Sequence, residues 1–394
     1  MEDPAYFWLA LSSLAMVFSL WVTRWVHSQY ELSIKVETAE PPDSDAPLVS
    51  VIIPARNEAR NIRSCVLGLL RQTYPNIEVI AVDDRSSDST PQILAALAEE
   101  DPRLAVIQGQ PLPPGWVGKP HALHQGAQAA NGSWLCFIDA DTFAHPALIA
   151  STVRAAQAAG ADLFTIMTAQ RLETFWEKVI LPLIFTALSV GFSPQKVNDP
   201  AQPDAVANGQ FLLFRREAYR AIGGHQSVAQ SIVEDRDLAQ RIKQSGLRLV
   251  MADGRDLAET RMYTRFSEIW EGWTKNIFLG LSGRPKLAWL GVFGALLCLL
   301  GAVGLPGWFI GAATWLPNGG GWVAGLALLE AVISWAYLLW MRARAARAFD
   351  ISPLYALTLP LGALIFGAMM ATSTLKTLTG RGITWKGRRY LAKN

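Results

Sequence analysis

The alternation of short apolar runs with amphipathic stretches is the feature that most limits how this chain can fold. Apolar runs suited to strands lie at residues 48–53, 77–82, 104–107 and 134–138, and helical stretches between them at 57–72, 89–100 and 119–130. Strands with few polar positions that alternate with helices are typical of a parallel sheet covered on both faces. The sequence therefore predicts an α/β fold with a mostly parallel sheet.

The stretch "LCFIDADTF", residues 135–143, ends one of these strands with two carboxylates, Asp139 and Asp141. Side chains two residues apart point to the same face of an extended chain, and like charges that close raise the cost of ionising each other. Mg²⁺ is usually held by one or two carboxylates together with substrate phosphates. The pair therefore predicts a divalent-cation site, the alternative being a solvated turn.

Polar residues also follow the first two strands, in "IIPARNE" and "VDDRSSD". Ligands of such sheets bind beyond the carboxyl ends of the strands, so these residues are candidates for nucleotide contacts. Asp83 and Asp84 can accept hydrogen bonds from a base or a ribose. Glu58 either contacts a nucleoside or is a charge in the first turn of a helix, and for Asp88 helix capping is the favoured role.

The stretch "GWVGKPHALHQGA", residues 115–127, opens a helix with Lys119. An ammonium at that position can bring a point charge to a phosphate. His121 and His124 lie three residues apart on the same helix, but no third ligand is nearby. We therefore expect a surface or nucleotide contact for them rather than a metal site.

Three acidic residues, Glu234, Asp235 and Asp237, crowd the stretch "SIVEDRDLAQRIKQSG" at residues 231–246. A carboxylate that faces an acceptor hydroxyl can act as a general base, and the alternative is a charged start of a helix. Upstream, Asn208 and Gly209 lie at a loop-to-strand junction, where a small residue permits close approach to a ligand.

The composition is 51% hydrophobic and 17% charged, with a mean hydropathy of +0.20, which favours a protein that is part soluble and part membrane-embedded. Residues 6–26 are apolar and long enough to cross a bilayer. Acidic residues precede this stretch and basic residues follow it, so we expect an uncleaved anchor with the next domain in the cytoplasm.

Residues 287–310 and 321–341 are apolar enough to span, with a loop at 311–320 between them. Residues 351–375 are a third candidate, interrupted by Pro353 and Pro360. Arginines precede this candidate and a basic tail follows it, so we expect it to re-enter or lie along the interface. The alternative is a plain span.

Two stretches, "FWEKVILPLIFTALSVGF" and "MYTRFSEIWEGWTKNIF", combine aromatic residues with Lys or Arg over lengths that suit the membrane interface. Each could instead be a core helix. The three cysteines are widely spaced and indicate neither a disulfide framework nor a zinc site. We expect no nucleic-acid partner.

Six motifs resemble, in order and spacing, the family 2 inverting glycosyltransferases of the GT-A fold, over residues 49–275. They are "VSVIIPARNE", "VDDRSSDST", "GKPHALHQGA", "FIDADT", "NGQFLLFRREAY" and "VEDRDLAQRIKQSG". The flanking apolar segments and "GITWKGRRY" resemble the hopene-associated glycosyltransferases and their relatives that act on carotenoids and ceramide. By contrast "RMYTRF", residues 261–266, departs from the Arg-Trp motif of processive synthases and ceramide enzymes, which puts polymer synthesis in doubt.

This resemblance implies inverting transfer of a sugar from a nucleotide-sugar, by default a UDP-sugar, to a hydroxyl of a membrane lipid. Asp235 would be the catalytic base, and Asp139 and Asp141 would hold Mg²⁺ or Mn²⁺ and the diphosphate. The expected donor-binding residues are Pro54, Arg56, Glu58, Asp83, Asp84, Lys119, Asp139, Asn208, Gly209, Trp385, Lys386 and Arg388. For the last three, which lie in the basic tail, contact with a lipid headgroup is the alternative to contact with the leaving diphosphate. The expected acceptor residues are Glu234, Arg265 and Trp270.

The predicted organisation is a multi-pass protein of the inner (cytoplasmic) membrane whose catalytic domain faces the cytoplasm. Its segments are an anchor (1–28), a tether (29–47), a GT-A domain (48–260, with an interfacial helix at 172–192), an amphipathic interfacial segment (261–284), transmembrane helices (285–375) and a basic tail (376–394).

Two other classes of protein fit less well. A nucleotidyltransferase would usually need a Gly-rich phosphate loop, which "PARNEARN" lacks. A transporter would need several ionisable residues within its membrane segments, and Glu330 is nearly alone in these. We expect Glu330 to be packed or interfacial. The acceptor stays open between a hopanoid, a carotenoid, a polyprenyl phosphate and a ceramide.

Overall fold

The structure is a computed structural model that describes residues 34–191, 193–281, 292–296, 299–300, 305–318, 321–385 and 388–390, with residues 10, 13, 14, 17, 20, 21, 24 and 28. The chain forms two compact units. The sheet unit covers Gln29–Arg171 and Phe192–Met262, and the helical unit covers Met1–Ser28, Leu172–Gly191 and Tyr263–Asn394.

The strands are β1 (Val49–Ala55), β2 (Ile77–Asp83), β3 (Leu104–Gln108), β4 (Trp134–Ile138), β5 (Thr142–Ala144), β6 (Leu163–Met167), β7 (Ala169–Gln170), β8 (Phe211–Arg215), β9 (Leu249–Asp253), β10 (Ala258–Thr260), β11 (Ile383–Trp385) and β12 (Arg388–Tyr390). The α-helices are α1 (Ile62–Leu70), α2 (Thr90–Glu100), α3 (Gly118–Ala129), α4 (Leu148–Ala158), α5 (Phe175–Gly191), α6 (Pro194–Asn198), α7 (Arg216–Ala221), α8 (Glu234–Gln244), α9 (Phe266–Leu281), α10 (Leu305–Trp315), α11 (Gly321–Ala348) and α12 (Leu359–Leu378).

The main sheet has seven strands in the order β3-β2-β1-β4-β8-β6-β9. The pairs β1–β2, β2–β3, β1–β4 and β6–β9 are parallel, whereas β8 runs antiparallel to both β4 and β6. The predicted mostly parallel α/β sheet is confirmed, and the antiparallel strand makes it mixed. A second sheet of the same unit has the order β5-β10-β7.

The two faces of the main sheet bury separate cores, as the period of two along a strand requires. In β1 the fully buried Val51 and Ile53 pack with residues of α1, α2 and α4, while Ile52 packs with residues of α3 and α8. Helix α3 lies very close to the sheet because Gly126 has no side chain, and a Cβ there would overlap Ile52. This close packing sets the height of the residues that open α3.

The predicted strand positions are accurate to two residues, but the first helix is not. Residues 57–72 were expected to be helical, whereas α1 begins only at Ile62. Asn57 has a φ of 54°, a left-handed conformation that a helix cannot contain. The segment between β1 and α1 is therefore a turn.

In the helical unit, α11 and the segment Pro353–Leu378 are long and apolar enough to cross a membrane. Pro360 lies in the first turn of α12, where a proline is tolerated, so the helix that follows is uninterrupted. This differs from the broken segment expected at 351–375 and favours the plain span. The loop expected at 311–320 is also shorter, because α10 continues to Trp315.

Most of the expected anchor and nearly half of the expected span at 287–310 lie outside the described residues. One described contact of the first segment reaches α11, where Ser13 Oγ donates to Glu330 Oε1 at 2.6 Å. Glu330 is 8% exposed, which agrees with a packed residue.

Helix α5 contains Pro182, which has no N–H and so leaves the carbonyl of Lys178 without its helical donor. The guanidinium of Arg342, from α11, supplies the missing bond: its Nη2 donates to the Lys178 carbonyl at 2.6 Å and approaches that of Val179 at 3.4 Å. Arg342 is 4% exposed. A buried cation thus joins α11 to the backbone gap that the proline opens.

We expect Arg342→Gln to lower the free energy of unfolding by about 1–3 kcal/mol, because it strands a buried carbonyl. In a Pro182→Ala background the new N–H can bond to the Lys178 carbonyl, so the same substitution should cost less. Thermal unfolding of the four proteins in detergent measures this coupling. Equal losses in both backgrounds would contradict the pairing of Arg342 with the proline gap.

Candidate active site

Strands β1, β2 and β4 end at one edge of the main sheet. Ala55, the last residue of β1, pairs with Asp83 of β2, and β1 pairs with β4 through Ile52 and Phe137. The expected polar residues after these strands therefore gather along one rim. Pro54 belongs to β1 itself, opposite Val82.

The centre of this rim is an ammonium shared by two carboxylates. Lys119 Nζ, in the first turn of α3, lies 2.8 Å from Asp139 Oδ1 and 2.9 Å from Glu234 Oε1. Asp139 follows β4, and Glu234 opens α8. One cation therefore ties together three elements that are far apart in sequence.

Asp235, the next residue of α8, is fixed by a backbone donor. The Gly209 N–H donates to Asp235 Oδ2 at 3.0 Å, and the Arg236 N–H donates to Asp235 Oδ1 at 2.8 Å. A Cβ on Gly209 would lie only 2.9 Å from Asp235 Oδ2. The small residue that the sequence placed near a ligand is thus needed for the approach of this carboxylate.

The acidic groups of the site shift each other's pKa values. Burial, followed by the charge of Glu234, raises the pKa of Asp235 to about 6, against the opposing effect of Lys119. Burial likewise raises the pKa of Asp139. Burial opposes the charge of Lys119, but Asp139, Glu234 and Asp235 outweigh it and hold the pKa of Lys119 well above its ordinary value. A carboxylate with a pKa near neutrality can exchange a proton at physiological pH.

The residues expected to contact the nucleotide, at the ends of β1 and β2, already form hydrogen bonds within the protein. Asp83 accepts hydrogen bonds from the Ser86 N–H and from Gln108 Nε2, both at 3.2 Å. Arg56 Nη1 donates to the Asp84 carbonyl at 2.7 Å and lies 3.8 Å from Asp84 Oδ2. Gln108 carries no motif in the sequence, and its one signal is its place at the end of β3.

Glu58 and Asp88 form hydrogen bonds between two turns, the one from β1 to α1 and the one from β2 to α2. Glu58 precedes α1 by four residues, so it is not the first-turn helix charge that the sequence allowed. Its N–H donates to Thr90 Oγ1 at 2.9 Å. Ser89 is the N-cap of α2, and Asp88 accepts from the N–H groups of Thr90 and Ala59 at 3.0 and 3.1 Å. Asp88 is therefore not the N-cap itself but links the start of α2 to the turn before α1.

Asn208 holds the turn before β8. Its N–H donates to Thr165 Oγ1 at 3.0 Å, and its Nδ2 donates to the Ile166 carbonyl at 2.9 Å. The Asn208 side chain is therefore engaged by a backbone carbonyl, and the two bonds together set the position of Gly209. The residue that follows, Gln210, is 8% exposed and was missed by sequence analysis, since a lone glutamine carries no motif signal.

His121 and His124 pack around an aromatic ring. The centroid of Trp116 lies 5.3 Å from the ring of His121 and 5.0 Å from that of His124. Burial lowers the pKa of both histidines. His121 is only 6% exposed, so the surface position that the sequence allowed is wrong for it.

The remaining expected site residues belong to the helical unit. Arg265 is exposed just before α9, and Trp270 is half-buried in α9 with its ring 6.0 Å from that of Phe266. Trp385 and Arg388 lie on β11 and β12, which form an antiparallel hairpin. Lys386 lies outside the described residues. The roles of these five residues stay predictions.

The donor set at the rim fits a divalent cation. Asp139 and Glu234 share the Lys119 ammonium, Asp235 adds a third carboxylate whose charge also raises the pKa of Lys119, and carboxylate oxygens are the ligands that Mg²⁺ and Mn²⁺ prefer. Within the described part of the chain, no group of three or more His, Cys, Asp and Glu residues could hold a metal by itself.

The mixed sheet and its carboxylate rim define a GT-A-like fold. Residues 50–223 match the protein family described as Glycosyl transferase family 2, which supports a family 2 glycosyltransferase domain in this chain.

Two relatives illustrate the range of similarity. The 4,4'-diaponeurosporenoate glycosyltransferase of Staphylococcus aureus (strain MRSA252) is 29% identical over 263 residues, which cover 64% of this chain and 68% of that protein. The structure of a mannosyltransferase from Pyrobaculum calidifontis, in complex with GDP-Man and Mn²⁺, is 18% identical and has a TM-score of 0.52, with 95% of this chain and 97% of that chain covered. This structural likeness supports the fold.

We expect Gly209→Ala to reduce sugar transfer at least tenfold while the protein still folds. The added methyl group must push the Asp235 carboxylate away, at a cost of about 1–3 kcal/mol typical of overpacking. Transfer rate and melting temperature together measure the effect. Gly68→Ala is the matched control, because its Cβ would meet Ala144 at an ordinary 3.5 Å. Wild-type transfer by Gly209→Ala would show that the close approach is unimportant.

Proposed function

We propose that this protein is an inverting, divalent-cation-dependent glycosyltransferase that moves a sugar from a nucleoside diphosphate sugar to an apolar membrane lipid. The observation that carries the proposal is the arrangement around Lys119. It links Asp139, the expected ligand of the cation and diphosphate, to the helix start that holds Asp235, the expected base. A base beside a diphosphate site is what a single displacement at an anomeric carbon requires.

In the proposed reaction the Asp235 carboxylate accepts the proton of the acceptor hydroxyl. The acceptor oxygen forms a bond to the anomeric carbon as the bond from that carbon to the diphosphate oxygen breaks, and the configuration inverts. The Gly209 N–H keeps the carboxylate oriented for this proton transfer. Lys119 is half-exposed and can turn its charge toward the diphosphate.

Asp139 and Asp141 would hold the divalent cation, which when bound neutralises charge that develops on the leaving diphosphate. The Mn²⁺ in the related mannosyltransferase structure supports a cation of this kind. The donor base stays open, since that structure contains GDP-Man and the family default is UDP. Pro54, Arg56, Glu58, Asp83 and Asp84 would surround the nucleoside.

A lipid acceptor is supported by the two helices with the length and apolarity of membrane spans. The relative from Staphylococcus aureus is named for 4,4'-diaponeurosporenoate, a carotenoid acid, which makes a carotenoid-type acceptor the first to test. A hopanoid alcohol, a polyprenyl phosphate and a ceramide are the other acceptors to compare. The exposed Arg265 and the half-buried Trp270 are proposed as acceptor contacts.

The test uses full-length protein in nanodiscs with isotope-labelled UDP- and GDP-sugars and each acceptor class. We expect a glycolipid of inverted anomeric configuration that forms with Mn²⁺ or Mg²⁺ and is lost with EDTA. Asp235→Asn should bind the nucleotide sugar as the wild type does but reduce transfer to a hydroxyl acceptor by about 10³-fold or more, since it removes the base that such an acceptor needs. Release of pyrophosphate instead of a nucleoside diphosphate would indicate a nucleotidyltransferase and overturn the proposal.

Transfer should also depend on pH through Asp235. Its pKa is raised to about 6, so the active carboxylate is lost as the pH falls through that value. Glu234→Gln removes a charge that raises this pKa, and the acidic limb of the pH–rate profile should move to lower pH. Asp237→Asn, in the same helical turn, is the control and should leave the limb in place. A limb that does not move in Glu234→Gln would argue against Asp235 as the base.

A further inference from the structure

Gln210 lies between Asp139 and Asp235 along the rim. Strands β4 and β8 pair as far as Ile138 and Phe211, so the next residues beyond that pair are Asp139 on one strand and Gln210 on the other. Gly209, which precedes Gln210, bonds to Asp235. The backbone thus brings Gln210 next to both the expected diphosphate ligand and the expected base.

The alternation along the strands puts Gln210 on the same face as that machinery. Ile138 and Phe211 belong to the core under α1 and α4, whereas Leu212 belongs to the core under α3 and α8. With a period of two, Asp139 and Gln210 both follow the α3–α8 face. Lys119 and Asp235 are carried by those same helices.

The amide of Gln210 has a fixed orientation. Its Oε1 accepts a hydrogen bond from the Thr168 hydroxyl, and the amides of Asn208 and Gln170 approach the same oxygen at 3.3 and 3.5 Å. An acceptor with three converging donors must be the carbonyl oxygen, so the opposite atom is the NH₂ group. That group, Nε2, donates to no residue in the described part of the chain.

Gln210 is 8% exposed, and its Nε2, which has no acceptor among the described residues, can be reached from solvent and so by a ligand at the rim. We propose that Gln210 Nε2 donates to a hydroxyl of the sugar being transferred and so selects the donor sugar. This inference rests on the proposed function. The nucleoside would lie at the other end of the rim, by Asp83 and Asp84, which leaves the sugar as the part of the donor nearest to Gln210.

The experiment compares affinities for the complete donor and for its nucleoside diphosphate, by calorimetry with Mn²⁺ on full-length protein. We expect Gln210→Ala and Gln210→Glu to weaken binding of the nucleotide sugar about 3- to 10-fold, with affinity for the nucleoside diphosphate unchanged for Gln210→Ala. Gln210→Glu keeps the Oε1 acceptor of the network and loses the donor. Gln170→Ala, a partner in the same network, is the control and should leave the ratio of the two affinities as in the wild type.

Deoxy donors identify the hydroxyl. A donor that lacks it should bind the wild type as weakly as the complete donor binds Gln210→Ala, and should lose nothing further in that variant. The proposal is overturned if Gln210 substitution changes both affinities equally, changes neither, or is additive with every deoxy donor. Should Gln210→Ala not fold, Gln210→Glu and the wild-type deoxy series still decide. Failure of the proposed function is distinct, because it is seen in the products of the transfer assay, whereas this proposal is tested by the ratio of two binding affinities.

Discussion

The contact on which the site depends is the Lys119 ammonium between Asp139 and Glu234. Three carboxylates at the meeting point of a strand end and a helix start would repel each other at a cost that grows as water is excluded. The shared cation offsets that repulsion and keeps the ends of β4, α3 and α8 together. It offsets only part of the charge of the three carboxylates, in keeping with the cation-bound diphosphate proposed for this rim.

The sequence predicts the sheet well because its evidence is local. Apolar runs locate β1, β2, β3 and β4 to within two residues, and the rule that ligands bind at strand ends predicts the rim. The antiparallel β8 and the bond from Gly209 to Asp235 are long-range pairings that no local pattern encodes. The sequence does not reveal the turn at Asn57, because an amphipathic pattern continues through it. The left-handed backbone of Asn57 nevertheless keeps it out of the helix that follows.

The helical unit also contains a long-range contact that no local sequence pattern predicts. Pro182 is visible in the sequence as a helix breaker, and Arg342 as one of several arginines that end an apolar stretch. Nothing local indicates that one completes the other, because the Lys178 carbonyl that joins them is a backbone group. The positive charge at the end of α11 therefore does more than bias topology. It supplies the hydrogen bond that a proline removed.

Which polar residues face substrate can be argued from how far the protein already satisfies them. Asn208 looks like a ligand in the sequence, yet its N–H and its side-chain amide donate to Thr165 and Ile166, so it sets the shape of the rim. Gln210 looks like nothing in the sequence, yet three donors converge on its oxygen and leave its NH₂ group without a described acceptor. Because its orientation is fixed and solvent can reach it, that NH₂ group can donate to a substrate hydroxyl without rearrangement. In the proposed role it discriminates between sugars, since a nucleotide sugar that lacks the hydroxyl forgoes the hydrogen bond.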